Sequence, residues 1–155
     1  MRAVFAAVAL LLTGILSPVA AAATVAADPY ADAVSPDTTA ALTNPGNVIG
    51  APDGLFTTVT GHLGAWIVLD LGAGEEAIGN LDVYYRGPDV LADQTDVEFL
   101  QANGNRIASA TLTMFSGSRV ATVPNRSSKS YRYVRIRAGV VQVYGLDAIK
   151  AAALA

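Results

Sequence analysis

Few side chains in this sequence are of a type that does chemistry. His62 is the single histidine, set between Gly61 and Leu63 in a Thr/Gly-rich stretch, and there is no cysteine. One imidazole without thiols cannot build a His-rich or Cys-based zinc site. His62 is the base that a Ser-His-Asp triad would need, but no Gly-x-Ser-x-Gly elbow accompanies it. It is expected on a loop, exposed or touching a ligand. Asp93, Asp96 and Glu98 are acidic neighbours, yet Asp96 and Glu98 share one side of an alternating stretch, where a solvated face is the ordinary role. A glycosidase needs two carboxyls at a set separation of about 5–9.5 Å, which sequence does not reveal. No nucleophile, general base and orienting group form a recognisable set, so a non-enzymatic chain is expected, with a hydrolase of unrecognised site as the remaining enzymatic alternative.

Binding chemistry has better candidates. Sugars stack on exposed rings and hydrogen-bond to polar groups beside them. Phe56 follows an Asp-Gly turn, and Tyr85-Arg86 end an alternating stretch just before Gly87-Pro88. With His62, these are the residues expected to touch a glycan or peptide; core packing is the competing role for Phe56 and Tyr85. Trp66, the only tryptophan, opens an apolar stretch and is assigned to a strand rather than a ligand loop.

The elements that must position these residues read as strands. Ile67, Leu69 and Leu71 fall on one face, with Trp66, Val68 and Asp70 on the other. Both faces being largely apolar, this strand is expected to be central. Asp70 is expected to cap the strand end or to bond the turn that follows through Gly72. Asn80–Tyr85 alternates Leu81, Val83 and Tyr85 against Asp82 and Tyr84. Thr95–Gln101 alternates Val97 and Phe99 against Asp96 and Glu98, and Asn103-Gly104 supplies a tight hairpin. Arg106–Met114 and Arg119–Val123 follow, split by Ser116-Gly-Ser118. Tyr131–Arg137 alternates Val134 and Ile136 against Tyr133, Arg135 and Arg137, and Val140–Ile149 holds the last strand. Residues 28–46 are expected as an extended arm, with one short strand or turn around Tyr30–Val34. Seven or eight short strands, frequent turn signals and no amphipathic helix predict an all-β sandwich.

The N-terminus is of another kind. Met1-Arg2 is followed by an uncharged run to Ala27, with an apolar centre Val8-Ala-Leu-Leu-Leu12, a break at Pro18 and Ala20-Ala-Ala-Ala23. A basic start, a short apolar stretch and an A-x-A-like end describe a secretory signal peptide spanning residues 1–27, cleaved after Ala23 or Ala27. An uncleaved membrane anchor would need about 20 apolar residues, and Pro18 with the alanine-rich tail argues against it. Cleavage after Ala27 leaves 128 of the 155 residues, one domain's worth. A chain of that size buries roughly 65% of its unfolded surface, enough for a core without disulfide staples. Loss of Arg2 leaves nine basic residues against 13 acidic, a net charge of −4. The basic residues are not clustered, which excludes a nucleic-acid footprint.

Two stretches near the ends of this domain resemble a known family. The first is Asn47-Val-Ile-Gly-Ala-Pro-Asp-Gly54, followed by Trp66-Ile-Val-Leu-Asp-Leu-Gly72. The second is Tyr131-Arg-Tyr-Val-Arg-Ile-Arg137, followed by Tyr144-Gly-Leu-Asp-Ala-Ile149. The ordered set resembles the galactose-binding-like, discoidin-type β-sandwich, and implies an antiparallel jelly roll from Asn47 to Ile149. Ala51-Pro52-Asp53-Gly54 by itself needs nothing beyond a β-turn, with Pro presetting φ and Gly suiting the last position. The resemblance adds a structural calcium near the first strand, for which Asp53 and Asp147 are the matching carboxylates; a metal-free turn is the alternative, since calcium takes 6–8 oxygen ligands. The family usually has an aromatic after the mid-domain hairpin, which Asn103-Gly-Asn-Arg-Ile107 lacks.

The expected function is therefore a secreted, non-enzymatic binding module for a glycan or another extracellular surface, with calcium as its candidate cofactor. Neither a nucleic-acid partner nor a membrane span after signal cleavage is expected. The alternative is a structural or adhesive envelope protein acting through protein contacts.

Overall fold

The computed structural model describes residues 30–72, 77–89, 92–139 and 143–151. The expected signal peptide, residues 1–27, lies outside them. Ten strands follow in chain order: β1 (Ala33–Val34), β2 (Ala41–Thr43), β3 (Thr57–Thr60), β4 (Trp66–Asp70), β5 (Leu81–Gly87), β6 (Asp93–Leu100), β7 (Arg106–Met114), β8 (Gly117–Val123), β9 (Tyr133–Arg137) and β10 (Tyr144–Ala151). They form two five-stranded sheets, β1-β4-β9-β6-β7 and β2-β3-β10-β5-β8, with every strand pair antiparallel. The all-β sandwich expected from the alternating pattern is present.

The period of two decides what lies between the sheets. Ile67 and Leu69 of β4, Val97 and Phe99 of β6, and Val134 and Ile136 of β9 are fully buried from one side. Leu81 and Val83 of β5, with Leu146 and Ile149 of β10, meet them from the other. Phe99 packs edge-to-face on Tyr131 with ring centroids 4.9 Å apart, a geometry the ring quadrupoles favour. Burial holds the Tyr131 hydroxyl above its ordinary pKa and does the same for Tyr144.

Two strands, β2 and β3, were not expected as such, whereas β1 falls on the short strand or turn expected around Tyr30–Val34. The 28–46 arm carries β1 and β2, and the Thr-rich stretch before His62 is β3. β1, β2 and β3 are two to four residues long, too short to show the alternation that marks a half-buried strand. The arm runs along β4 by main-chain bonds from Asp32, Ser35, Thr39 and Ala40 to the carbonyls of Asp70, Val68 and Trp66. It then crosses to pair with β3 in the other sheet. One segment thus closes an edge of both sheets.

At the far side, Gly87 meets the corner between β7 and β8. A Cβ there would lie 2.0 Å from the Phe115 carbonyl oxygen, so only glycine allows that approach.

Candidate functional site

The two aspartates assigned to the sandwich ends are joined, the side chain of Asp147 to the main chain of Asp53. Pairing of β10 with β5 shifts by one residue between Leu146 and Ala148. Asp147 is the extra residue, and a bulge of this kind re-aims its side chain. Its Oδ1 accepts from Asp53 N at 3.0 Å and its Oδ2 from Gly54 N at 3.1 Å. Asp53 turns its own Oδ1 back to Leu55 N at 2.9 Å. Both oxygens of Asp147 therefore face amide donors, the arrangement of an anion in a backbone nest. A cation between them would meet the positive ends of those amides. Among the described residues no group of three or more His, Cys, Asp or Glu side chains is placed to hold a metal. As oriented, these donors do not make a calcium ligand set.

The four residues expected to contact a ligand do not form one site. Phe56 is half-buried against Gly145, whose absent Cβ would stand 3.0 Å from the Phe56 Cβ. The exposed Arg86 lies 6.0 Å above the Phe56 ring. Phe56 borders a shallow depression of about 180 Å³ with Tyr84, Val120 and Asp147. Tyr85 is only 1% exposed, and its hydroxyl accepts from Phe115 N at 3.0 Å. It therefore takes the core role rather than offering a face for stacking. His62 is exposed in the turn between β3 and β4. The whole of β3, about 13 Å long at strand rise, and Gly61 lie between it and Phe56.

The larger concavity is elsewhere, on the outer face of the β1-β4-β9-β6-β7 sheet. Register places Trp66, Val68 and Asp70 of β4 opposite Arg137, Arg135 and Tyr133 of β9, and Arg135 opposite Glu98 of β6. Their neighbours Ile67, Val134 and Phe99 point inward, so these side chains must point out. A groove of about 430 Å³ crosses this face. Its floor holds Trp66, Tyr133 and Arg135. Asp37 and Thr39 of the arm and Asn103 of the β6–β7 hairpin are among its other lining residues.

Ion pairs organise the floor. The Arg135 guanidinium binds Glu98 Oε2 through both Nε and Nη2, and Arg106 Nη1 binds Glu98 Oε1 at 2.7 Å. Arg132 grips Asp70 through two bonds of 2.8 and 2.9 Å, and Asp70 also accepts from Gly72 N at 2.9 Å, as expected. Arg137 Nε lies 3.1 Å from Asp96 Oδ2 but off the hydrogen-bond line, so this pair is electrostatic only. The Arg135 and Arg137 guanidiniums lie 4.7 and 4.8 Å from the Trp66 ring centroid.

Glu98 is thus not the solvated strand residue it was expected to be. It is 6% exposed beneath two arginines. Burial pushes its pKa up, but the hydrogen bonds and charges of Arg106 and Arg135 outweigh that and hold it below the ordinary value. For Asp70 the Arg132 hydrogen bonds are the largest influence, and they hold its pKa low against a smaller effect of burial. The sequence signal for this platform was the Tyr133-x-Arg135-x-Arg137 alternation. Its complement, Asp96-x-Glu98, sits on another strand, so only the pairing of β6 with β9 reveals the match.

No family model matches the chain, and no curated protein matches it. Solved structures do. The lectin domain of lectinolysin, complexed with Lewis B antigen, is similar at a TM-score of 0.51 and 23% identity, over 64% of this chain and 72% of that one. A family 29 carbohydrate binding module complexed with mannohexaose reaches a TM-score of 0.55 at 8% identity, over 79% and 88%. A Streptococcus pneumoniae fucose binding module gives 0.51 at 17% identity, over 81% and 92%. At these identities the likeness is one of fold: the chain shares its β-sandwich with carbohydrate-binding modules and a lectin domain, consistent with the galactose-binding-like expectation.

Proposed function

We propose that this protein is an exported, non-enzymatic module that binds glycan through the groove over Trp66. The observation that carries this reading is the groove's composition. It joins two half-buried aromatic rings, Trp66 and Tyr133, to side chains that donate or accept hydrogen bonds, Arg135, Asp37 and Asn103. A sugar offers C–H faces to the first and hydroxyls to the second, and a volume of about 430 Å³ is in the range of small-ligand sites. The folds it resembles include proteins solved with Lewis B antigen and mannohexaose. Among the described residues of this face, Glu98, Asp70 and Asp96 are each paired with arginine, an arrangement that supports a binding role. The signal-like residues 1–27 support export. The carboxylate clip at Asp147 supports a sandwich whose ends are tied without calcium.

A glycan array tests this. Binding by the wild type, lost in Trp66→Ala while the melting transition is retained, is the expected result; silence across polysaccharide and cell-wall panels overturns it. Silence would favour a second reading, adhesion through protein contacts. The observation behind that reading is the apolar surface near the Phe56 depression, where Leu55 is 57% and Val120 55% exposed.

A further inference from the structure

Four arginines reach the face that carries the groove: Arg106, Arg132, Arg135 and Arg137. Three carboxylates of the same sheet, Asp70, Asp96 and Glu98, engage all four. Asp37, exposed and lining the same groove, brings a fourth negative charge. Among the described residues the face is therefore balanced charge for charge, despite its arginine content.

We propose that the groove selects uncharged saccharides over carboxylated ones, and that Glu98 is the positioning residue that sets this selectivity by holding and neutralising Arg135. The proposal rests on the glycan reading and names the ligand class of that same groove.

The chemistry of the guanidinium gives the reason. Arg135 has five N–H donors. Glu98 engages its Nε and Nη2, which leaves donors on Nη1 and one on Nη2 for ligand hydroxyls. The Trp66 ring against the guanidinium fixes it from a second direction, so binding does not have to order this side chain. A ligand carboxylate would have to draw Arg135 from Glu98. That would leave a buried carboxylate held by Arg106 alone, a poor exchange because a buried charge that loses a partner is destabilising. It would also meet the negative charge of Asp37, and like charges at an interface are penalised. A hydroxyl meets neither obstacle and can donate to Asp37.

Calorimetric titration of the full chain with a neutral oligosaccharide and with a uronic-acid oligosaccharide of the same length, at low and at high salt, tests the proposal. The neutral ligand is expected to bind at least about tenfold more tightly, with an affinity that salt does not change. Glu98→Gln keeps the shape and one acceptor but leaves a guanidinium charge uncompensated. It is expected to lower the neutral-to-acidic ratio by about tenfold and to make acidic binding weaken with salt. Lost packing alone would weaken both ligands together. Asp37→Asn, on an exposed residue that does not endanger folding, is expected to move the ratio in the same direction. A wild type that prefers the uronic-acid ligand, or a ratio unmoved in both variants, overturns the proposal and leaves the glycan reading standing. Failure of the wild type to bind either ligand, or any glycan on the array, overturns both.

Discussion

Asp147 is one residue more than its strand needs. Without the bulge, the strand alternation would carry the chain past the Pro52-Asp53-Gly54 turn with no side chain aimed at it. With the bulge, one carboxylate joins residues more than 90 positions apart in the chain. Charge-assisted bonds of this kind are stronger than neutral ones, but Asp53 and Gly54 are exposed and water can replace a lost acceptor. Asp147→Ala is therefore expected to cost about 1–2 kcal/mol, read as a fall in melting temperature of about 4 °C per kcal/mol for a domain this size. Melts in calcium and in chelator should superimpose, and a rise with calcium would show that the clip is a metal site after all. The carboxylates under the arginines make a separate prediction. The folded-state pKa values of Asp70 and Glu98 lie below their unfolded ones. Each thus contributes stability that is fully present above about pH 4–5 and is lost as the pH falls through the folded value. The melting temperature is expected to drop steeply only below that range. The gap between wild type and Glu98→Gln should close there, as the wild-type carboxylate takes up its proton; a gap that persists in acid would deny Glu98 this role.

Strands long enough to alternate were legible, and the shortest ones were not. β4, β5, β6, β7 and β9 announce themselves because residues such as Val97 and Phe99 must reach the core while Asp96 and Glu98 must not. β1 and β2 bury little, and β3 buries only Thr57 and Val59; all three are short, so their side chains carry almost no sequence pattern. The candidate site divides the same way. The Asp53–Asp147 meeting was legible through the resemblance. The Trp66 groove was not, because its residues come from four segments that only the pairing of β1, β4, β9 and β6 brings together. The arm is where this matters energetically. Thr38 donates its hydroxyl to the Val68 carbonyl and accepts from Val68 N, and Ala31 is fully buried. A chain beginning at Asn44 would bare the main-chain edges of β4 and β3. At roughly 1 kcal/mol per lost bond the loss is on the order of 5 kcal/mol, comparable to a whole domain's stability. Such a chain is expected to lose its cooperative transition or to aggregate through the opened edges. Light scattering and a thermal melt check this, and a truncated chain that melts like the wild type would show the arm to be dispensable.

The whole molecule offers two outer faces, and they differ in kind. One is the balanced ion-pair face with the large groove. The other carries the Phe56–Arg86 pair, where Arg86 has no carboxylate partner among the described residues and Leu55 and Val120 leave apolar area open. The buried core lies between the two faces, so their contributions should be independent. Ligand linkage can then tell which face binds. A saccharide that binds only the native state raises stability by RT ln(1 + [L]/Kd), about 2.7 kcal/mol at a hundredfold excess over Kd. The melting temperature of the wild type should rise accordingly. In Trp66→Ala the rise should vanish, although the fold survives, since the ring lies on the outer surface rather than in the core. In Phe56→Ala the rise should remain in full. The reverse pattern, a shift kept without Trp66 and lost without Phe56, would move the glycan site to the opposite face and make the ion-pair platform a structural device alone.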